Sequence, residues 1–226
     1  MKHNPNSIFA VNIRHIKNII DTPWKAWNEL DRWLIYPKVR LLFTMNGIQW
    51  GHGWRIYGMP IIQKHRQSQM RFGTGLQLRS SVRSNPLCPT HPVALTTWKE
   101  NALLEIGTNF SMTGGVLCSA ERISIGDDVA IGANTTIIDT DFHPLDPLQR
   151  KYDSAEAISA PVIIGDEIFI GMHCLILKGV AIGRGSVIGA GSVVTRNIPS
   201  YSIAVGNPAK VIRQITRSVR EHRDSE

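Results

Sequence analysis

The chain has 226 residues, with 25 lysines and arginines against 18 aspartates and glutamates, a formal net charge of +7 and a pI near 9.6. That length accommodates one large domain, or one domain with an appendage, around a sizeable core. The positive balance points to an anionic partner such as a phosphate-bearing ligand or a membrane surface, and since no nucleic-acid-binding signature accompanies it, nucleic acid is set aside.

Cys88, Cys118 and Cys174 have no metal-ligand spacing and leave one thiol unpaired, so they read as free thiols in a reducing compartment. The first twenty residues contain no uninterrupted apolar run with a small-residue cleavage site, and nowhere does an apolar stretch reach about 18 residues, so the expected location is the cytoplasm.

Residues 1–45 are expected to be an N-terminal helical region of two helices. Ile8, Val11, Ile16, Ile19, Ile20, Trp24, Trp27, Leu30 and Leu34 recur at mixed helical spacing, Asp21-Thr22-Pro23 is a helix start, and Pro37 closes the second helix. The basic excess begins here, with Lys17, Lys25, Lys38 and Arg40, and runs on through Arg83. A peripheral contact of this region with the inner face of a membrane is one reading; packing against the rest of the chain or a second subunit is the favoured one.

Residues 46–207 form the main domain. From Gly47 to Ser81 the pattern is strand-like, residues 84–101 leave it in a proline-containing loop, and Val93–Thr97 returns. From Ile106 an aliphatic residue recurs nearly every six positions, through Met112 and Cys118, with one extra residue before Ile125. Eight hexads, starting at 125, 131, 164, 170, 176, 182, 188 and 194, open on Ile or Val, and six of them continue with glycine. A period of six is the signature of a parallel β-helix: three hexads make one triangular coil, and each coil stacks about 4.8 Å above the last. The glycines are read as corner residues needing backbone freedom. The repeats stop between residues 138 and 161, an extruded loop containing Asp139-Thr-Asp-Phe-His-Pro, and such an interruption is where function is sought. Residues 208–226 are read as a helix over Pro208–His222, carrying Val211, Ile212, Ile215 and Val219, followed by a tail.

Three segments, Ile137-Ile-Asp-Thr-Asp-Phe-His-Pro, Val187-Ile-Gly-Ala-Gly-Ser-Val-Val-Thr and Ala204-Val-Gly-Asn-Pro-Ala-Lys-Val-Ile-Arg213, resemble the hexapeptide-repeat acyltransferases, most of all the bacterial polysaccharide and sugar O-acetyltransferases of the colanic acid, maltose and galactoside group. The resemblance covers residues 104–213 and implies a mainly β, left-handed parallel β-helix that assembles as a homotrimer. It implies an acetyl-CoA-dependent transfer to a hydroxyl of a sugar, nucleotide sugar or lipid-linked glycan, with no metal. His143 takes the family's general-base position, and imidazole suits that task because its neutral, proton-accepting form is available near neutral pH. The oxyanion falls to the backbone N–H of Met172. Asp141 is placed either to orient His143 or to hold a sugar hydroxyl, with a plain turn role weighed equally. Thr113 stands where relatives carry an acceptor-binding asparagine. The coenzyme positions are Phe169, Gly171, Met172 and Ala190 along the pantetheine, with Thr195, Arg196 and Arg213 near the nucleotide phosphates, for which guanidinium is apt. Two rivals are a zinc enzyme on the same scaffold, which needs a close histidine set beyond His143 and His173, and a non-catalytic scaffold or membrane-surface module. An amino acceptor in place of a hydroxyl is the remaining alternative.

Overall fold

A computed structural model describes residues 21–152 and 157–216. Helix α1 (Pro23–Met45) leads into a prism whose three faces are parallel sheets. Face A stacks β1 (Arg55–Tyr57), β4 (Gln77–Arg79), β7 (Ser111–Thr113), β10 (Ala130–Ile131), β13 (Phe169–Ile170), β16 (Val187–Ile188) and β18 (Ser202–Gly206). Face B stacks β2 (Ile61–Lys64), β5 (Ala94–Thr97), β8 (Val116–Ser119), β11 (Thr136–Ile138), β14 (Leu175–Ile176) and β17 (Val193–Val194). Face C stacks β3 (Gln69–Phe72), β6 (Leu103–Ile106), β9 (Arg122–Ile125), β12 (Val162–Ile164) and β15 (Ala181–Ile182). The chain visits A, B and C in turn, so each circuit is one coil of the left-handed β-helix.

Inward-facing residues form one column per face. On face A the ladder registers Ile56, Leu78, Met112, Ile131, Ile170, Ile188 and Ala204 over one another. On face C, Phe72, Ile106, Ile125, Ile164, Ile182 and Ile198 do the same. The face B column passes through Leu117 rather than Cys118, because the coil turns one residue early at Gly114-Gly115. The added length is absorbed at the next corner, Ser119 to Glu121, while the β9 ladder stays unbroken.

The repeat glycines act through close approach, not through a special φ. A Cβ on Gly132 would lie 2.5 Å from the Met172 nitrogen, so the coils reach their stacking distance only without a side chain there. Left-handed backbone falls two residues later, at Asn134, His173 and Gly191 in successive coils.

Two helix expectations are corrected. α1 runs on through Pro37, although an internal proline removes a hydrogen bond and costs about 3 kcal/mol. Val39 and Phe43, beyond the proline, are buried on the first coil, where the Phe43 ring packs against Trp50, Trp54 and Phe72, and this packing carries the helix past it. The other helix expected at the N-terminus lies outside the described residues. In place of the expected C-terminal helix, Ala209–Gln214 form β19, antiparallel to β18 across Asn207-Pro208. The hairpin supplies hydrogen-bond partners to the last edge of face A, which a helix would have left open. Residues 217–222 of that expected helix fall outside the described ones.

Candidate active site

The extruded segment leaves the prism at the corner between faces B and C, after β11, and returns at β12. Its root is Asp139, fully buried, whose carboxylate accepts hydrogen bonds from the Ala120 N–H at 2.6 Å, the Glu121 N–H at 2.9 Å and the Ser119 hydroxyl at 2.9 Å. These donors belong to the enlarged corner of the coil below, so the extra residue in the repeat and the anchored loop are one device. Above the root the two strands of the loop pair: Ala160 N–H donates to Asp139 O and Asp141 N–H to Ile158 O. The loop carries a short helix, α2 (Pro147–Tyr152), capped by Asp146, whose carboxylate accepts the Leu148 and Gln149 N–H groups.

His143 lies two residues past the paired Asp141, exposed, between Phe142 in left-handed backbone and buried Pro144. Phe142 stands edge-on to Trp98, with ring centroids 6.2 Å apart. The imidazole is thus positioned through its neighbours' backbone and ring contacts, and among the described residues no side chain is hydrogen-bonded to it. Asp141 turns to Lys178 instead, at 2.9 Å, while its other carboxylate oxygen is buried and has no partner among the described residues.

A second group forms at the corner between faces A and B. Here Thr113, Gly132 to Thr135, Gly171 to Cys174 and Gly189 to Ser192 stack in successive coils. Thr135 pins the turn, its hydroxyl donating to Gly171 O and accepting from the Cys174 N–H. The Met172 carbonyl accepts from Gly191, while among the described residues the Met172 N–H makes no hydrogen bond. Gly171 is closely covered, a Cβ there lying 2.5 Å from the Ala190 nitrogen, and Ala190 itself is exposed. Phe169 projects outward from face A, 51% exposed. The Thr113 hydroxyl accepts from the Asn85 amide at 3.1 Å, so an asparagine from the excursion after β4 caps that position.

The expected site residues therefore divide. Thr113, Phe169, Gly171, Met172 and Ala190 lie on face A or at its corner with B; Asp141, His143, Thr195 and Arg196 lie at the corner between B and C. Arg213 lies on β19, opposite Ile203. A single prism keeps the two corners apart. Sequence reading missed Lys178, Trp98 and Asn85, which meet their partners only through coil stacking and carry no motif of their own. Buried Cys118 has its thiol pushed up to about 11 by desolvation and the nearby Asp139 charge, so it stays protonated.

Residues 122–138 and 161–196, the coils on either side of the loop, match a family model described as the hexapeptide repeat of succinyl-transferase. The galactoside O-acetyltransferase of Escherichia coli is 43% identical over 107 residues, 47% of this chain and 50% of that one. The chain spans about half the length of the curated relatives it matches. Among solved structures, a galactoside acetyltransferase in complex with coenzyme A superposes with a TM-score of 0.52 at 25% identity, covering 93% of this chain and 85% of that one. A hexapeptide-repeat acetyltransferase of Vibrio cholerae complexed with acetyl coenzyme A gives 0.50 at 25% identity, covering 92% of each chain.

Proposed function

We propose that this chain, a member of the hexapeptide-repeat acetyltransferase family, moves an acetyl group from acetyl-CoA to a hydroxyl of a sugar or glycan, a precursor of cell-surface polysaccharide. The relatives named as galactoside acetyltransferases, one of them holding coenzyme A, support donor and acceptor class. The observation that carries the reading is the division of the candidate residues between two corners. Two prisms side by side in a homotrimer bring the A/B corner of one copy against the B/C corner of the next, and a groove between them is lined by Met172, Gly171, Ala190 and Phe169 on one wall and by His143, Thr195 and Arg196 on the other.

In that groove the His143 imidazole takes the proton of the acceptor hydroxyl as its oxygen attacks the thioester carbonyl. The unpartnered Met172 N–H donates to the oxyanion that forms, an interaction stronger in the transition state than in the ground state. Collapse of the tetrahedral intermediate breaks the carbon–sulfur bond, and the imidazolium returns its proton to the leaving thiolate. No acyl-enzyme forms. Asp141, held by Lys178 and with its other carboxylate oxygen buried, fixes the loop at the residue two before the base. Asn85, carried on Thr113, presents an amide at the A/B corner and takes the acceptor-positioning role expected of Thr113 itself.

The reading puts the enzyme in the cytoplasm. A peripheral membrane contact joins it through α1, on which Trp33, Leu34, Leu41 and Met45 are exposed beside Lys38 and Arg40; no described helix is long and apolar enough to cross a membrane.

The test is acetyl-CoA turnover against neutral sugars, nucleotide sugars and lipid-linked glycans. One of these is acetylated, and His143→Ala lowers the rate at least about 10²-fold with unfolding unchanged, since an exposed loop histidine supports no core. Wild-type turnover in the variant would remove His143 as the base.

A further inference from the structure

A cavity of about 780 Å³ opens between α1 and the excursion that follows β4. Trp24 and Trp27 line it from the helix, Tyr57 and Arg79 from face A, and Arg83 and Asn85 from the excursion. Its walls are fastened to one another. The Asn28 amide donates to Arg83 O at 3.1 Å, the Tyr57 hydroxyl to Glu29 at 2.6 Å, and Arg32 to the other Glu29 oxygen at 2.8 Å. The Arg79 guanidinium lies 4.5 Å from the Tyr57 ring centroid and donates to the Ser84 carbonyl. The shape is therefore formed before any ligand enters, which lowers the entropy cost of binding.

The charges in this cavity do not cancel. Glu29 feels burial that would raise its pKa, but the bonds from Tyr57 and Arg32 hold it below the usual carboxylate range, and Arg32 balances it. Arg79 is committed to Tyr57 and Ser84. That leaves Lys25, Arg55 and Arg83, none of them in an ion pair among the described residues, against Asp31 and, for Arg55, the field of a Glu29 already paired with Arg32. The two indoles stay 55% and 66% exposed, so their apolar faces are left largely uncovered among the described residues. Flat aromatic faces suit the apolar side of a pyranose ring, and free guanidinium groups suit phosphate or carboxylate.

We infer that this cavity binds an anionic glycosyl unit of the acceptor, a sugar bearing a phosphate or carboxylate group, with the ring on Trp24 and Trp27 and the charge on Arg55 and Arg83. Only the word acceptor rests on the acetyl-transfer reading. Asn85 joins the cavity to the reaction site: it is bonded to Thr113, and Met172 lies two coils further along the same corner, about 10 Å at the spacing of stacked strands.

Calorimetry of the full chain with maltose, UDP-glucose and a glucuronate-containing disaccharide tests this. At least one anionic sugar binds ten times or more tighter than maltose, roughly, and loses affinity as salt rises. The UDP-glucose and glucuronate arms tell phosphate from carboxylate. Arg55→Ala and Arg83→Ala, both at exposed positions that folding tolerates, each weaken that binding roughly five- to tenfold and leave acetyl-CoA affinity unchanged, whereas His143→Ala leaves sugar binding intact. Equal affinity for maltose and the anionic sugars, or wild-type binding in both arginine variants, would overturn the assignment. An anionic sugar that binds as expected but is never acetylated would sink its role as acceptor and leave the binding site standing.

Discussion

Asp139→Ala removes the root of the extruded loop. The carboxylate is fully buried and accepts three hydrogen bonds, two from backbone N–H groups and one from a hydroxyl, at 2.6 to 2.9 Å. Hydrogen bonds to a charged acceptor contribute about 1.5–3 kcal/mol each, but the three share one corner and are not additive, so the expected loss is about 3–5 kcal/mol. At about 2–4 °C per kcal/mol for a chain of this size, Tm falls by about 6–20 °C. Water entering the vacated corner lowers the cost, and Asp139→Asn, which keeps one acceptor oxygen but faces an NH2 toward N–H donors, should fall between wild type and alanine. The assay is thermal unfolding followed by circular dichroism, paired with limited proteolysis of the loop. A cost below about 1 kcal/mol for the alanine variant would refute the anchoring argument, because two backbone donors cannot be orphaned in a buried corner that cheaply.

Replacing Arg196 and Arg213 together with alanine should raise KM for acetyl-CoA about ten- to a thousandfold with little change in kcat, since phosphates remote from the thioester are held equally in ground and transition states; an unchanged KM with a lowered kcat would assign them to the acceptor. Of the three thiols only exposed Cys88 should react with a thiol reagent in the native protein near neutral pH, because desolvation raises both Cys118 and Cys174, and all three should react in denaturant. Sedimentation with anionic vesicles should drop when Trp33 and Leu34 are both changed to serine, while equal sedimentation with neutral vesicles and no effect of the substitutions would remove the membrane contact.

The prism was legible because its period is written in single residues: an aliphatic every six positions fixes the coil, and the interruption after Ile138 fixes the loop. The helix ends were not. Val211, Ile212 and Ile215 are spaced as well for a helix turn as for a hairpin strand, and only the open edge of face A decides between them. Pro37 reads as a stop in isolation, yet the burial of Phe43 against the first coil outweighs it. The glycine after six of the eight aliphatics was visible, but its reason was not, because the neighbour it avoids, such as the Met172 nitrogen over Gly132, lies a whole coil and an extruded loop away in sequence. The same separation hid the Asp141–Lys178 pair and the Asn85–Thr113 bond, which no local pattern encodes.

The central claim is that one reaction site is built from two copies, His143 from one and the Met172 corner from the next. Coexpression of His143→Ala with Ala190→Trp, the latter filling the exposed face of that corner, measures it most directly. Each variant alone is expected to be inactive. Mixed at random in a trimer, every assembly holding both variants has one interface with an intact His143 opposite an intact corner, so about a quarter of wild-type acetyl transfer returns. If both groups came from the same chain, every site would carry one defect, and activity in the mixture would stay at the level of the separate variants.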